Sequence, residues 1–269
     1  MLADAEGIDM STTLPQRGRF EGVGQIVRFN WPFYLVATCG CLAGAVGVAL
    51  LELPVWLELA GWGSIGLGLF WTLGSLAVSW YVYDLSPLYR WQWLPGVFAQ
   101  PPRRWVNIHS GLDDSSLALQ QLFAPANGQV LDIYDPQQMT EPSIARARAL
   151  VVPPVAPIPA RHDALPLAAN SVDAVFLLFA AHELRDPAAR LEFFRELKRI
   201  VAPGARIVLV EHLRDGANFI AFGPGFWHFL PRCEWLRGAR ESGWELAASF
   251  KQTPFVTVFV FQGVDDVTA

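Results

Sequence analysis

"SVDAVFLLFA", residues 171–180, and "ARIVLVE", residues 205–211, are nearly continuous apolar runs of strand length. Runs of this kind suit parallel strands covered on both faces, not strands with one wet side. Between them, Asp186-Pro187 opens a helix that runs to Val201, with Leu191, Phe194, Leu197 and Val201 on one face. Pro203-Gly204 then stops it. A strand, a helix and a second buried strand make a βαβ unit, and the chain repeats that alternation on its N-terminal side. "RWVNI" (104–108) reads as a strand, "SSLALQQLF" (115–123) as a helix and "GQVLDIY" (128–134) as a second strand. "TEPSIARARAL" (140–150) starts a helix, with Thr140 as N-cap and Pro142 in the first turn. "VVPPVAPIPA" (151–160) leaves room for a short edge strand at most. The pattern predicts a doubly wound α/β sheet, which binds ligands at the carboxyl ends of its strands.

The region before Asp84 has a different composition. Of 269 residues, 52% are hydrophobic and 17% charged, and the mean hydropathy is +0.29. The excess is N-terminal: Trp31–Leu51 and Leu59–Tyr83 contain no charged residue. Each reaches the roughly 20 residues needed to cross a bilayer, and "ELPVWLE" (52–58) turns between them. Two transmembrane helices over 31–83 follow, after a cytoplasmic tail over 1–30 whose first 15 or so residues are mobile. Arg17, Arg19 and Arg28 precede the first span and Arg90, Arg103 and Arg104 follow the second, while the connecting turn has two glutamates and no cation. The positive-inside rule places both ends in the cytoplasm, as for a multi-pass protein of a bacterial-type inner membrane. Trp31, Trp56, Trp80 and Tyr81 sit near span ends, as interfacial aromatics do. Gly40, Gly44, Gly47, Gly63, Gly66 and Gly68 would allow close helix approach. A net charge of -5 without a lysine-rich tract argues against nucleic acid as a partner. Cys39, Cys41 and Cys233 lack metal-ligand spacing and read as buried core thiols, and no metal is expected.

Residues 161–184, "RHDALPLAANSVDAVFLLFAAHEL", and 193–212, "FFRELKRIVAPGARIVLVEH", resemble the second half of class I S-adenosylmethionine-dependent methyltransferases. The nearest likeness is to the ubiquinone/menaquinone and phospholipid group. It lies in Asp-Ala before Leu-Pro, in the Val-Asp-x-Val strand, and in Pro203-Gly204-Ala205 where that group has Pro-Gly-Gly. "YDLSPLYRW" (83–91) resembles the Tyr-Asp segment preceding the cofactor fold, and "TPFVTVFVFQ" (253–262) its closing antiparallel strand. The resemblance spans roughly 83–262 and implies a Rossmann-like, seven-stranded methyltransferase domain over 84–269, preceded by the transmembrane hairpin.

It also implies site residues. The family's first motif is an acid followed by Gly-x-Gly-x-Gly. Here Asn107 stands in the acidic place, His109 and Asp113 replace the outer glycines, and Gly111 remains. The resemblance assigns Asn107, His109 and Gly111 to the cofactor's methionine end. It gives Asp132, with Ile133 beside it, the ribose hydroxyls; Asp135 is a rival because the strand's register is open. Asp163 would face the adenine amino group, with Ala164 giving a backbone contact. Asp113 and Asp114 also read as caps of the helix near Ser115. His182 and Glu183 after one strand, and Glu211 and His212 after the next, are candidates for removing the nucleophile's proton. "NFIAFGPGFWHFLPRCEW" (218–235) reads as an aromatic lid or as packing against the hairpin. The expected function is methyl transfer from S-adenosylmethionine to a hydrophobic quinone, lipid or isoprenoid-like acceptor. The alternative is a non-catalytic subunit of a membrane protein complex that uses the fold for docking.

Overall fold

The structure is a computed structural model that describes residues 17–263; the mobile tail expected over the first 15 or so residues lies outside them. Two long helices come first, α1 (Glu21–Leu50) and α2 (Val55–Trp80). The first apolar span is the straight part of a longer element: α1 starts ten residues before Trp31, inside the expected tail. Pro32 lies within the helix, where it cannot donate to the preceding turn, and Asn30 leaves helical geometry at φ -113, ψ 19. The charged first turns are thereby angled against the apolar remainder. Of the glycines expected at the helix contact, Gly44 meets Ile65 and Gly68 meets Cys41, while Gly40, Gly47, Gly63 and Gly66 face open space. Cys39 and Cys233 are exposed, so they are not core thiols.

A π-helical turn, Tyr81–Leu85, prolongs α2, and two 3₁₀ turns follow at Leu88–Arg90 and Leu94–Val97. Val82, Leu88, Trp91 and Leu94 from this segment are fully or almost fully buried. The core of the α/β domain therefore includes one fully buried residue, Val82, from before residue 84.

The remaining elements alternate: β1 (Arg104–His109), α3 (Ser116–Leu122), β2 (Asn127–Asp132), α4 (Pro142–Leu150), β3 (Ile158–Pro159), β4 (Val172–Leu178), α5 (Pro187–Ile200) and β5 (Val201–His212). After them come α6 (Gly216–Phe222), α7 (Arg232–Glu241), β6 (Trp244–Thr253) and β7 (Val256–Gly263). Seven strands form one sheet in the order β3-β2-β1-β4-β5-β7-β6, with β7 antiparallel to both neighbours. This is the seven-stranded α/β architecture expected. Side chains alternate between its faces, as on β4, where Val175 and Leu177 join one core cluster and Ala174 and Phe176 the other.

Local differences have local causes. The N-cap of α4 is Glu141, not Thr140, because Pro142 already occupies the first helical position. Asp186 caps α5 as expected, accepting from the Ala188 N–H at 3.2 Å. The buried face of α5 is Phe193, Phe194, Leu197 and Ile200, and Leu191 lies at its margin. Pro203-Gly204 falls inside β5, where the pairing with β4 shifts register, so it forms an irregularity in the strand instead of a stop before it.

The aromatic insertion after β5 seats on α2. Phe219 meets Trp71 edge-on at 5.6 Å between ring centroids. Gly223 has φ +53, and a Cβ there would lie 2.4 Å from the Trp71 indole. Gly223→Ala should thus overpack this joint at a cost of about 1–3 kcal/mol. A lowered thermal midpoint, with Trp71 fluorescence changing at or before global unfolding, is the expected result.

Candidate functional site

Parallel strands bring their carboxyl ends to one edge of the sheet: His109 on β1, Asp132 on β2, Leu178 on β4 and His212 on β5. The chain leaves β1 toward β2 on one side and reaches β4 on the other, so the switch point lies between β1 and β4.

The loop after β1 is packed from within. Asn107 is 1% exposed. Its amide donates to Ser116 Oγ at 2.8 Å and Ser115 Oγ at 3.0 Å. Asp113 Oδ1 accepts the N–H groups of Ser115 (3.1 Å) and Ser116 (2.9 Å), closing the start of α3. Of the two expected caps only Asp113 acts so, since Asp114 faces Arg17 at 3.5 Å. Asn107 is committed to this network and is not presented to the cleft. Gly111 has φ +145, and a Cβ would fall 2.7 Å from Ile144 of α4. The surviving glycine is required by the approach of α4 as well as by its backbone angle.

His109 is buried, and its Nδ1 accepts the Gly111 N–H at 3.3 Å, which leaves the proton on Nε2. Nε2 is buried without a partner. Burial lowers this imidazole's pKa against the pull of Asp113 and Asp132.

Asp132 ends β2, where the ribose acid was expected. Its Oδ1 accepts the Tyr134 N–H at 3.0 Å, and its Oδ2 takes Arg148 of α4 at 2.6 Å. Arg148 also lies 4.3 Å over the Tyr134 ring. Asp135, the rival, closes a turn onto Gln137 and Gln138, hydrogen bonds that hold its carboxyl below the usual range. Ile133 is 2% exposed and belongs to the core, with its N–H on the His109 carbonyl. Asp163 forms a two-point pair with Arg161 at 2.9 and 2.6 Å, which lowers its pKa to about 2. The Ala164 N–H closes the same turn onto the Arg161 carbonyl.

Along the edge, a 3₁₀ turn, Ala181–Glu183, sets His182 between two carboxylates. Its Nδ1 is 2.7 Å from Glu211 Oε2 and its Nε2 is 3.0 Å from Glu183 Oε1. Burial works against a charged ring here, but Glu211 and Glu183 more than reverse it and raise its pKa to about 10. Two carboxylates thus favour the protonated ring, whereas a general base must be neutral. Burial also works against charge on Glu183, yet His182, His228 and Arg185 hold its carboxyl below the usual range. His228, from the aromatic insertion, stacks edge-on against His182 at 5.2 Å and lies against Arg185. Donor atoms of His182, Glu183 and His228 come within 4.8 Å of one another, the one such group among the described residues. His182 pairs with both Glu183 and Glu211, while Glu183 Oε2 is buried without a hydrogen-bond partner.

His212 is the opposite case. Nδ1 faces two acceptors, Phe255 O (3.0 Å) and Asn218 Oδ1 (3.2 Å), and so carries the proton. Nε2 is left to accept from Tyr83 Oη at 2.9 Å. Burial lowers this imidazole to about 4, and burial raises the Tyr83 phenol. Sequence reading missed Tyr83 as a partner of His212, and missed His228, Arg185 and Arg148. In the sequence His228 stands among aromatic neighbours, and Arg148 lies in a helix whose facing strand is set only by the sheet order.

A family model described as a methyltransferase domain matches residues 118–209. Among solved structures, the mitomycin 7-O-methyltransferase MmcR superposes with a TM-score of 0.54 at 13% identity, over 92% of this chain and 74% of its own. A SAM-dependent methyltransferase from Aquifex aeolicus gives 0.49 at 18% identity, over 68% and 96%. The CcbJ methyltransferase from Streptomyces caelestis gives 0.49 at 13%, over 66% and 96%. Comparison with curated proteins gives no significant match. The fold is that of the class I SAM-dependent methyltransferases, and residues 118–209 match a methyltransferase domain.

The two histidines set opposite pH limits on stability. His182 keeps its proton in the fold up to about 10, against about 6.5 when unfolded. Its contribution is complete below about pH 6.5 and is lost as pH rises toward 10. His212 stays neutral in the fold down to about 4, so its contribution is complete above about pH 6.5 and lost as pH falls. Thermal midpoints of His182→Gln should therefore lose much of the wild-type decline on the alkaline side and keep the decline on the acid side.

Proposed function

We propose that this protein is a membrane-anchored S-adenosylmethionine-dependent methyltransferase acting on a hydrophobic acceptor of the quinone, phospholipid or isoprenoid kind. The reading rests on one juxtaposition. The aromatic insertion that roofs the carboxyl ends of β4 and β5 packs directly on α2, so the acceptor side of the sheet edge adjoins the apolar hairpin. That hairpin is not a buried core pair: the most apolar stretch of α1 is 0% buried and that of α2 is 11% buried. Val36, Leu42, Val46, Leu59, Phe70 and Leu73 are all more than half exposed. Such surface suits lipid. The flanking arginines orient the domain toward the cytoplasm of a bacterial-type inner membrane.

When bound, the cofactor supplies an electrophilic methyl group on a sulfonium. Asp132 takes the ribose hydroxyls in exchange for Arg148, and Asp163 meets the adenine side. His109, with its unpartnered Nε2–H, and Gly111 line the approach. The Tyr83–His212 pair accepts the nucleophile's proton: His212 is neutral at physiological pH, as a base must be, and its Nε2 lone pair already points at a phenolic O–H. His182 and Glu183 position the loop after β4, and Glu211 holds His182. A docking subunit without catalysis is not favoured, because the matched methyltransferase region runs through β2, β4 and α5 to β5.

Calorimetric titration with S-adenosylhomocysteine tests the site. Asp132→Ala removes two charge-assisted hydrogen bonds of about 1.5–3 kcal/mol each and should weaken binding by about a hundredfold or more. An unchanged dissociation constant would remove Asp132 from the ribose role. Alkaline carbonate washing tests the anchor: the full chain should remain with the membranes, and its release would end the hairpin reading.

A further inference from the structure

Two imidazoles and three carboxylates meet where the 3₁₀ turn after β4 faces the insertion after β5. Each ring has the same kind of neighbour on each nitrogen. His182 Nδ1 lies 2.7 Å from Glu211 Oε2, and its Nε2 lies 3.0 Å from Glu183 Oε1. His228 Nδ1 lies 3.5 Å from Glu141 Oε1, and its Nε2 lies 3.9 Å from the same Glu183 oxygen. Both Nε2 atoms therefore converge on one carboxylate, and both Nδ1 atoms face an outer one. An outer carboxylate on Nδ1 fixes a ring with its Nε2 lone pair presented, which is how metal-bound histidines are held. Glu211 is fixed in turn: it is 1% exposed, and its Oε1 accepts the His182 N–H at 3.2 Å. The Glu183 side chain is 9% exposed, and its Oε2 has no hydrogen-bond partner. A buried carboxylate left half-satisfied is costly, and a cation bound to it removes that cost. Against the three carboxylates the cluster has one permanent cation, Arg185, whose Nη2 lies 2.9 Å from His228 Nε2 and 3.9 Å from Glu141 Oε1. A dication between neutral rings balances the remainder.

We propose that His182 Nε2, Glu183 and His228 Nε2 bind one divalent transition-metal ion, with Glu211 and Glu141 as the carboxylates behind the two rings. Two imidazoles and one carboxylate suit zinc or a neighbouring first-row ion, and not magnesium, which prefers oxygen donors and water. Donors bound at about 2.0–2.2 Å in a tetrahedron lie about 3.4 Å apart. The two Nε2 distances to Glu183, 3.0 and 3.9 Å, bracket that value, and all three donors fall within 4.8 Å of one another. The ion replaces the proton that His182 holds between its carboxylates, which leaves to solvent, since a ligand imidazole is neutral. Arg185 gives up His228 Nε2 and keeps Glu141 and the His228 carbonyl. The way in is along His228, whose side chain is 31% exposed. Three protein donors leave a coordination position open, the pattern of catalytic rather than structural sites. On the function proposed above, an acceptor oxygen would occupy that position; the binding of the ion does not depend on it.

The full chain in detergent, stripped with EDTA and dialysed, is titrated with zinc and with magnesium by calorimetry. Neither cofactor nor acceptor is present, so the result stands apart from methyl transfer. Wild type should take up one equivalent of zinc and no magnesium. His228→Ala removes one donor from a partly exposed ring and should abolish uptake at the zinc concentrations that fill wild type. Glu211→Gln keeps an oxygen for the His182 N–H but loses the charge behind the ring, and should weaken zinc about 10–100-fold. Thermal midpoints of the metal-free variants, unchanged from metal-free wild type, certify their folds. Should either not fold, Glu141→Gln decides, since Glu141 is 42% exposed and stands behind His228 as Glu211 stands behind His182. No zinc uptake by wild type, or uptake that these variants leave intact, overturns the site. Equal uptake of magnesium overturns it as well, because an acidic patch alone would give that result.

Discussion

Asp84 decides where the helical hairpin sits on the sheet. Its carboxylate oxygens accept the N–H groups of Gly22 at 2.6 Å and Val23 at 2.9 Å, donors that the first turn of a helix cannot satisfy internally. The negative charge also meets the positive end of the α1 dipole. The approach is close enough that a Cβ on Gly22 would lie 2.5 Å from the Cβ of Tyr83. From this anchor the neighbouring residues diverge. Tyr83 turns to His212 at the end of β5, and Tyr89 receives Arg17 from the chain ahead of α1. One carboxylate thus registers the hairpin, the carboxyl end of β5 and the mouth of a charged cleft against one another.

A second tie runs through α4. The departure from helical geometry at Asn30, two residues before Pro32, occurs beside the Phe29 carbonyl, to which Arg146 donates. Two residues on, Arg148 holds Asp132, and Ile144 fills the space beside Gly111. The element covering Asp132 is therefore fastened to the hairpin at its bend. The strength of its hold on Asp132 is modest. Arg148 is 34% exposed, and an ion pair open to solvent contributes about 0–1 kcal/mol. A ligand making two hydrogen bonds to this carboxylate would therefore displace Arg148 at small cost.

The β4–α5–β5 unit was legible because its signals are local: two apolar runs of strand length, an Asp-Pro start and a Pro-Gly interruption. Asp132 was legible for the same reason, as the acid that ends an apolar run. Asp113 as a cap needed only the serines that follow it. What could not be read was non-local. The charge on His182 is set by Glu211, on the next strand, and the ring of His228 comes from an insertion after β5. Tyr83 and His212 are separated by most of the α/β domain and meet because Asp84 fixes the hairpin. The length of β5 is not legible at Pro203-Gly204, since a register shift in a sheet absorbs a sequence that punctuates a helix. The start of α1 was misplaced because charged residues before Pro32 ended the apolar pattern without ending the helix.

A glycine loop gives a ligand two things: positions without a Cβ and backbone N–H groups free to point outward. In this chain the loop after β1 uses both for itself. The missing Cβ of Gly111 makes room for Ile144, the Gly111 N–H goes to His109, and the Ser115 and Ser116 N–H groups go to Asp113. Recognition by backbone is correspondingly reduced, and what remains to meet a ligand is side-chain charge. Asp132 stands at the end of β2 with one oxygen held only by a solvent-screened arginine. Asp113 stands in the loop with one oxygen unmade. The carboxylates of Asp132, at the end of β2, and Asp113, in the loop after β1, thus supply the negative charge at this edge that the backbone does not address. A motif with one glycine is then a different division of labour between backbone and side chains, and its departure from the Gly-x-Gly-x-Gly pattern is no measure of whether the edge binds.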